Sequence, residues 1–350
     1  MKIGILTGGG DCPGLNAVIR AVVRKGTFHY KDEFIGFIEG WRGVLENKTT
    51  TLDLNSVSGI LPRGGTILRT SRTNPAKKAD GIEKCVAVLK QNNLDALVAI
   101  GGDDTLSVAQ KIHEKGGKVV GVPKTIDNDL AGTDFTFGFD TAVNIVTESL
   151  DRLHTTAEAH NRTIVVEVMG RNAGWIALYG GVAGGADAIL IPEHPFDIEK
   201  VTAALQQRHA RGKLFNIVVV AEGAKFAASA DGQASLVTNA AGKDEFGHER
   251  LGGIANVLAA EIEKRTGFET RAVVLGHVQR GGTPTAFDRM LATRYGLGAI
   301  DAVHNGAFGQ MVALRGNKIV TVPVSEAIAK NRTVDSDAME VVKGILEQVG

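Results

Sequence analysis

Two short runs hold most of the chemistry legible in this chain. Gly101-Gly102-Asp103-Asp104-Thr105 and Pro123-Lys124-Thr125-Ile126-Asp127-Asn128-Asp129 together carry four aspartates beside paired glycines, a lysine and two threonines. Glycine lets backbone amides approach a phosphate without Cβ interference. Carboxylates crowded beside such a turn suit a divalent cation. The combination points to a metal ion and a phosphoryl group.

Elements of strand and helix length flank both runs. Leu94 to Ile100 is an apolar strand, Leu106 to Lys115 a helix, and Gly117 to Val122 a second strand. Strand, helix, strand is a βαβ unit, so both turns are expected to face each other at the carboxyl edge of one parallel sheet, where open α/β proteins bind ligands. The chain begins the same way, with strand 3–7, the turn Gly8-Gly9-Gly10-Asp11-Cys12-Pro13-Gly14, and a helix from Asn16 to Lys25. On its own that turn reads equally as an ordinary strand-to-helix connection. Between Arg63 and Arg72, three arginines flank Gly64-Gly65, which suits phosphate contact or a solvated charged loop. A long helix is expected from Phe137 to about His154 with Asp140 as N-cap. A second βαβ series follows, with strands 164–169, 188–192, 216–221 and 269–275. Residues 224–253 show no clear period and read as a surface excursion. Residues 311–314 and 318–322 read as a hairpin, and 340–348 as a last amphipathic helix.

Composition narrows the class. At 350 residues the chain suggests two domains or two lobes. Lys+Arg and Asp+Glu are 39 each, a balance that argues against a bulk nucleic-acid or membrane binder. Cys12 and Cys85 are the only cysteines, too few for a disulfide framework or a cysteine zinc site. No charged leader precedes strand 3–7 and no apolar run reaches membrane-spanning length, so a cytoplasmic protein is expected.

Taken together, TGGGDCPGLN, GGT followed by Arg72, GGDDT, PKTIDND, GFDTA, EVMGRNAGW, AEGA, ETRAVVLGHVQRGG and PTAFDR resemble the phosphofructokinase family, in its order, from Met1 to about Gly309. The resemblance implies a phosphofructokinase fold: two Rossmann-like α/β lobes with mostly parallel sheets and the active site between them. Residues 1–138 with 283–330 would form the phosphoryl-donor lobe, and 139–282 with the terminal 331–350 the sugar-phosphate lobe. It implies Mg²⁺-dependent phosphoryl transfer to the 1-hydroxyl of fructose 6-phosphate. A hydroxyl acceptor needs a base, and Asp127 is the candidate. Asp103 would hold Mg²⁺, with Asp129 helping through water. Thr125 would hydrogen-bond the transferring group, and Arg171 would stabilise its developing charge. Gly10, Arg72, Gly102 and Thr105 fall on the donor side. The family pattern sets the sugar phosphate against Arg162, Arg271, His277 and Arg280, with Val278 and Gln279 beside them. It sets the sugar ring against Met169, Gly170 and Glu222, and Ile126 lies within the same substrate-binding run. Taken singly, Arg162 or Arg271 also reads as a surface ion pair, His277 as a structural histidine, and Asp127 or Asp129 as a turn cap. In the family, the residues matching Arg162 and Arg271 reach across from a neighbouring subunit. A homodimer or homotetramer with shared active sites is therefore implied.

The family divides between pyrophosphate and ATP users. ATP users commonly carry glycine at the positions of Asp104 and Lys124. A carboxylate at 104 would crowd and repel the α-phosphate of ATP, while Lys124 can neutralise it and hold a pyrophosphate oxygen as a point charge. Thr73 offers no aromatic face to adenine, and Val108 has bulk where the ATP form has glycine. Pyrophosphate is the expected donor, with ATP as the alternative. A catalytically silent nucleotide sensor is a further reading, disfavoured by intact Asp103, Asp127 and Arg171. Arg20, Arg24, Arg211 and Lys213 match part of the family's effector cleft, but Leu54 and His154 replace arginines there. Little response to ADP or phosphoenolpyruvate is expected.

Overall fold

The computed structural model describes residues 1–227, 235–236, 238–243 and 249–345. Along the chain come β1 (Lys2–Thr7), α1 (Leu15–Lys25), β2 (Glu33–Phe37), α2 (Trp41–Leu45), β3 (Thr49–Leu52), α3 (Gly81–Gln91), β4 (Ala96–Gly101), α4 (Asp103–Glu114) and β5 (Val119–Pro123). Next are α5 (Phe139–His160), β6 (Thr163–Val168), α6 (Trp175–Ala183), β7 (Ala188–Leu190), α7 (Ile198–Ala210) and β8 (Asn216–Ala221). Four short strands follow: β9 (Lys225–Phe226), β10 (Ser235–Leu236), β11 (Thr238–Lys243) and β12 (Glu249–Leu251). The chain continues through α8 (Ile254–Thr266), β13 (Thr270–Val274), α9 (Ala286–His304), β14 (Gln310–Arg315), β15 (Lys318–Pro323), α10 (Val324–Ala327) and α11 (Ser336–Ile345).

Two compact units result. The first comprises Met1–Ile126, Leu130–Thr141 and Arg280–Asn331. Its seven-stranded sheet runs β15-β14-β5-β4-β1-β2-β3. Only the outer pairs β2–β3 and β14–β15 are antiparallel. Strands β4 and β5 are buried at every position, as expected of inner strands covered on both faces. Helix α1 packs along α9. The second unit comprises Asp127–Asp129 with the described residues of 142–279 and of the tail from Arg332. Its four-stranded sheet, β13-β6-β8-β7, is parallel throughout. Val165, Leu190, Val218, Val220, Leu258 and Ile262 share its core.

Several local expectations are corrected. Helix α4 begins at Asp103, three residues before the sequence pattern suggested. Two aspartates in a first turn suit the positive end of the helix dipole, so Asp103 and Asp104 head the helix itself. Helix α5 runs on to His160, because Ala157 continues its buried face. Asp140 lies inside the first turn of α5 and is not its cap; it accepts a hydrogen bond from Thr285 Oγ1 at 2.5 Å. Residues 224–253 are less irregular than expected, since β9 pairs with β10 and β11 with β12, although 228–234, 237 and 244–248 lie outside the described residues. The last helix starts at Ser336 rather than Glu340, and residues 346–350, which include the expected end of that helix, are likewise outside the description. The hairpin at β14–β15 forms as expected. Among the described residues no helix is long and apolar enough to cross a membrane.

One buried carboxylate seats the start of α5. Asp288 of α9 accepts from Gly138 N at 2.9 Å through one oxygen, and from Thr141 N and Oγ1 at 2.8 and 2.6 Å through the other. Thr285 N donates in turn to Thr141 Oγ1 at 3.1 Å. The motifs GFDTA and PTAFDR are thereby locked together. Burial pushes the Asp288 carboxyl up to about 6, against the opposing pull of the Thr141 and Gly138 bonds. Replacing Asp288 with alanine strands two buried N–H groups, so Asp288→Ala should lower the unfolding free energy by about 2–4 kcal/mol in urea titration. Because the folded-state value lies above the reference 3.8, the native state holds a proton that the unfolded chain has lost. The residue's contribution to stability should therefore fall as pH rises from about 4 to about 6, then level off. Comparing wild type with Asp288→Asn across that range checks the sign.

Candidate active site

In the first unit, the parallel pairing of β4 with β5 sets Gly101 opposite Pro123, and Lys124 N donates to Gly101 O at 3.0 Å. The two acidic runs therefore begin side by side. Chain direction alone requires this once the strands are neighbours and parallel. Gly8 N donates to Ile100 O at 2.9 Å, which brings the glycine turn after β1 to the same edge. Lys124 is buried (3% exposed), and its ammonium donates to the Gly10 carbonyl. Burying an ammonium is costly without oxygen partners, so this lysine binds the turn to the carboxyl end of β5. A side chain at Gly10 would sit 2.5 Å from Arg280 Nη1, which itself donates to Asp11 O at 3.3 Å.

Two further contacts shape this edge. Asn16, almost fully buried, donates to Arg63 O at 3.0 Å and accepts from Ile67 N at 2.9 Å, tying the arginine loop to α1. Thr70 Oγ1 donates to Gly9 O at 2.6 Å, which holds the same loop against the glycine turn. Arg72, two residues on, is exposed. Gly102 is extended and precedes α4; Asp103 and Asp104 are partly exposed at its head, and Thr105 is buried. Thr125 O accepts from Thr136 Oγ1 at 2.7 Å. Ile126 is fully buried, which leaves its side chain in the core. Val108 packs into the core with Ala109 and Ile112, where its bulk acts on the packing beneath α4 rather than on a ligand directly.

In the second unit, Asp127 is 5% exposed, and Asn128 after it has a positive φ of 54°. At the carboxyl ends of β6 and β8, Arg171 N donates to Glu222 Oε1 at 3.1 Å and Glu222 N to Val168 O at 2.8 Å. Arg171 also has a positive φ, 51°, and Gly170 lies at +138°. Non-glycine residues there are strained by about 1–3 kcal/mol and persist only when their surroundings dictate it. Gln279 is fully buried; its Oε1 accepts from Met169 N at 3.2 Å and its Nε2 donates to Gly276 O at 3.0 Å. Its side chain thus supports Met169 from within the fold. His277 and Val278 beside it are exposed.

Arg162 and Arg271 stand elsewhere. Both lie at the amino ends of their strands, β6 and β13, and both grip Glu269 Oε1, at 2.8 and 2.5 Å. The Arg162 guanidinium beside Glu269 holds that carboxyl below its usual range. Met169, Gly170, Arg171 and Glu222 sit at the opposite edge of the same sheet. A six-residue strand spans roughly 20 Å, so one chain does not bring these arginines to those residues. Arg280 belongs to the first unit, at the glycine turn. His154 is engaged structurally, with its Nε2 on Gly184 O at 2.8 Å.

A protein-family model described as phosphofructokinase matches residues 2–303. The chain belongs to the phosphofructokinase family. It is 60% identical, over 98% of each chain, to a pyrophosphate–fructose 6-phosphate 1-phosphotransferase of Streptomyces coelicolor. An ATP-dependent 6-phosphofructokinase 3 of the same organism is 54% identical over 95% of this chain and 96% of its own. Among solved structures, the phosphofructokinase of Pichia pastoris in its T-state superposes with a TM-score of 0.83 at 33% identity, covering 98% of this chain and 36% of that one. The fold is the phosphofructokinase fold.

Asn16 and Asp288 each lie inside a motif legible in the sequence, but their supporting roles depend on backbone groups 47 and 150 residues away. No local pattern displays such partners. Two glycine variants separate support from function within this phosphofructokinase. At Gly170 a Cβ would stand 2.5 Å from the Ala173 carbonyl oxygen at a φ that side chains avoid, so Gly170→Ala should cost about 2–4 kcal/mol of stability. At Gly10 the obstacle is the movable end of Arg280, so Gly10→Ala should fold within about 1 kcal/mol of wild type. Urea midpoints measured for both variants check the contrast.

Proposed function

We propose that this phosphofructokinase transfers a phosphoryl group from pyrophosphate to the 1-hydroxyl of fructose 6-phosphate, giving fructose 1,6-bisphosphate and orthophosphate, reversibly and in the cytoplasm. The observation that carries the choice of donor is the buried Lys124 ammonium at the Gly10 carbonyl, beside a helix headed by Asp103 and Asp104. A compact cation at the glycine turn holds a small polyphosphate oxygen, while the Asp104 carboxylate repels a third phosphate and what it bears. The 60% identical relative, a pyrophosphate–fructose 6-phosphate 1-phosphotransferase, supports this reading. The ATP reading draws its support from the relative named ATP-dependent at 54% identity.

In the proposed reaction Asp127 takes the proton of the 1-hydroxyl. The oxygen then bonds to a pyrophosphate phosphorus as the bridging P–O bond breaks, releasing orthophosphate. Thr125 hydrogen-bonds the group in transfer. Arg171, aimed by the Glu222 bond to its amide, stabilises the charge that group develops. Arg72, Gly102 and Thr105 line the donor side. Met169, Gly170, Glu222 and the exposed His277 and Val278 receive the sugar phosphate. The oxygen donor set fits Mg²⁺, which binds through one or two carboxylates together with substrate phosphates, and Asp103 would be its protein ligand. When bound, the ion offsets charge on the phosphate oxygens.

We further propose that Arg162 and Arg271 serve the site of a second copy of the chain in a homodimer or homotetramer. Their place at the amino edge of the second unit's sheet supports this. The lobe assignment follows: residues 1–138 with 283–330 bind donor, and 139–282 with the tail bind sugar phosphate.

Turnover of fructose 6-phosphate with saturating pyrophosphate and Mg²⁺ should exceed that with ATP by at least about tenfold, a difference of about 1.4 kcal/mol in barrier; faster turnover with ATP would overturn the donor assignment. EDTA should abolish turnover and added Mg²⁺ restore it. Asp104→Gly should admit ATP while slowing the pyrophosphate reaction. For shared sites, Asp127→Ala and Arg162→Ala subunits should each be inert alone. Co-expressed under separate tags, they should recover about a quarter of wild-type turnover if the interface is two-fold.

A further inference from the structure

The chain after Asn331 reads as a tail, yet its first residue is bound on four sides. Arg332 N donates to Asp129 O at 2.7 Å, and Arg332 Nη1 reaches Asn128 O at 3.5 Å. Trp175 Nε1 donates to Arg332 O at 3.0 Å. The Arg332 guanidinium lies 4.3 Å from the centroid of the Trp175 ring, within cation–π range. Two residues on, Val334 N donates to Glu193 Oε1 at 2.9 Å, and the same carboxylate receives Gly174 N at 3.0 and 3.1 Å.

These contacts join two turns that have a shared peculiarity. One is Asp127-Asn128-Asp129, with Asn128 at φ 54°. The other is Gly170-Arg171-Asn172-Ala173-Gly174, with Gly170 at +138° and Arg171 at 51°. Backbone held in such regions relaxes unless neighbours over-determine it. Carbonyls 128 and 129 lie one and two residues after Asp127, so fixing them restrains the backbone turn that carries its carboxylate. Trp175 and Gly174 close the turn that presents Arg171. A planar guanidinium holds its N–H groups in a rigid fork beside the indole, a geometry that the point charge of an ammonium does not reproduce.

We propose that Arg332 is a positioning residue for phosphoryl transfer, bracing the Asp127 turn against the Arg171 turn through Trp175. In this role it acts through the two backbones it holds. The inference rests on the proposed roles of Asp127 and Arg171.

The test compares wild type, Arg332→Ala, Arg332→Lys and Trp175→Phe as full-length proteins. Misplacing catalytic groups by about 1 Å can cost on the order of a hundredfold in rate. Arg332→Ala should therefore lose on the order of 30- to 100-fold in kcat, with KM for both substrates within about threefold and the melting temperature little changed. Arg332→Lys should recover only a small part of that rate. Guanidinium ion at tens of millimolar should restore a part in Arg332→Ala and none in wild type. Trp175→Phe, which keeps the ring but loses the Nε1 donor, should show a smaller loss in kcat. Hydrogen exchange followed by mass spectrometry supplies a readout independent of activity. Amides in both 127–131 and 170–175 should exchange at least about tenfold faster in Arg332→Ala, with the two sheets unaffected. Faster exchange confined to residues after 332, or a kcat within twofold of wild type, would show that Arg332 merely anchors the tail and would overturn the proposal. If wild type turns over neither donor, the functional reading fails, and the exchange pattern alone still decides whether Arg332 couples the two turns.

Discussion

The parallel pairing of β4 with β5 is the constraint on which the first unit's chemistry depends. Parallel neighbours end at the same edge, so whatever follows Gly101 must lie beside whatever follows Pro123. That places the starts of two acid-rich runs together through backbone pairing. The Lys124 ammonium then crosses to the Gly10 carbonyl and brings the third turn in. A sheet with either strand reversed would hold the same residues at opposite ends, with no common site.

In each unit, polar side chains hold backbone turns inside the fold. Asn16 holds the arginine loop, Asp288 seats the start of α5, Glu222 fixes the amide of Arg171, and Glu193 joins Gly174 to Val334. Each is a side chain satisfying backbone groups that no helix or strand ladder reaches. Unsatisfied, such groups cost about 1–3 kcal/mol apiece when buried, so the turns they hold gain one defined geometry. The left-handed backbone at Asn128 and Arg171 is affordable only inside such a frame.

Strand polarity also explains why the cationic residues of the second unit divide. Arg162 precedes β6 and Arg271 is the second residue of β13, whereas Arg171, with Met169, Gly170 and Glu222, lies beyond the carboxyl ends of β6 and β8. In an all-parallel sheet, residues before and after the strands occupy opposite edges. Glu269 meanwhile pairs with both arginines where they stand and offsets part of their charge. Such a pair suits a ligand that approaches from outside the chain's own cluster, which is the physical basis for proposing shared sites.

Much of this was legible without coordinates. Apolar strand-length runs ending in glycine, alternating with helical periods, specify parallel α/β layers, and the motif order identifies the family. The candidate base, metal ligand and donor-selecting pair lie within a few residues of strand ends, so local pattern suffices to name them. Where α4 begins was read three residues late, because a dipole-stabilised acidic first turn looks like a loop when only apolar period is counted. The length of α5, the short ladders within 225–251, and the burial of Val108 were decided by contacts distant in sequence. So were the seat formed by Asp288, the support of Met169 by Gln279, and the bracing of two turns by Arg332 on Trp175. A sequence displays what neighbours along the chain can do; which backbone carbonyl a guanidinium finds 204 residues away is settled only when the turns of the second unit have closed around it.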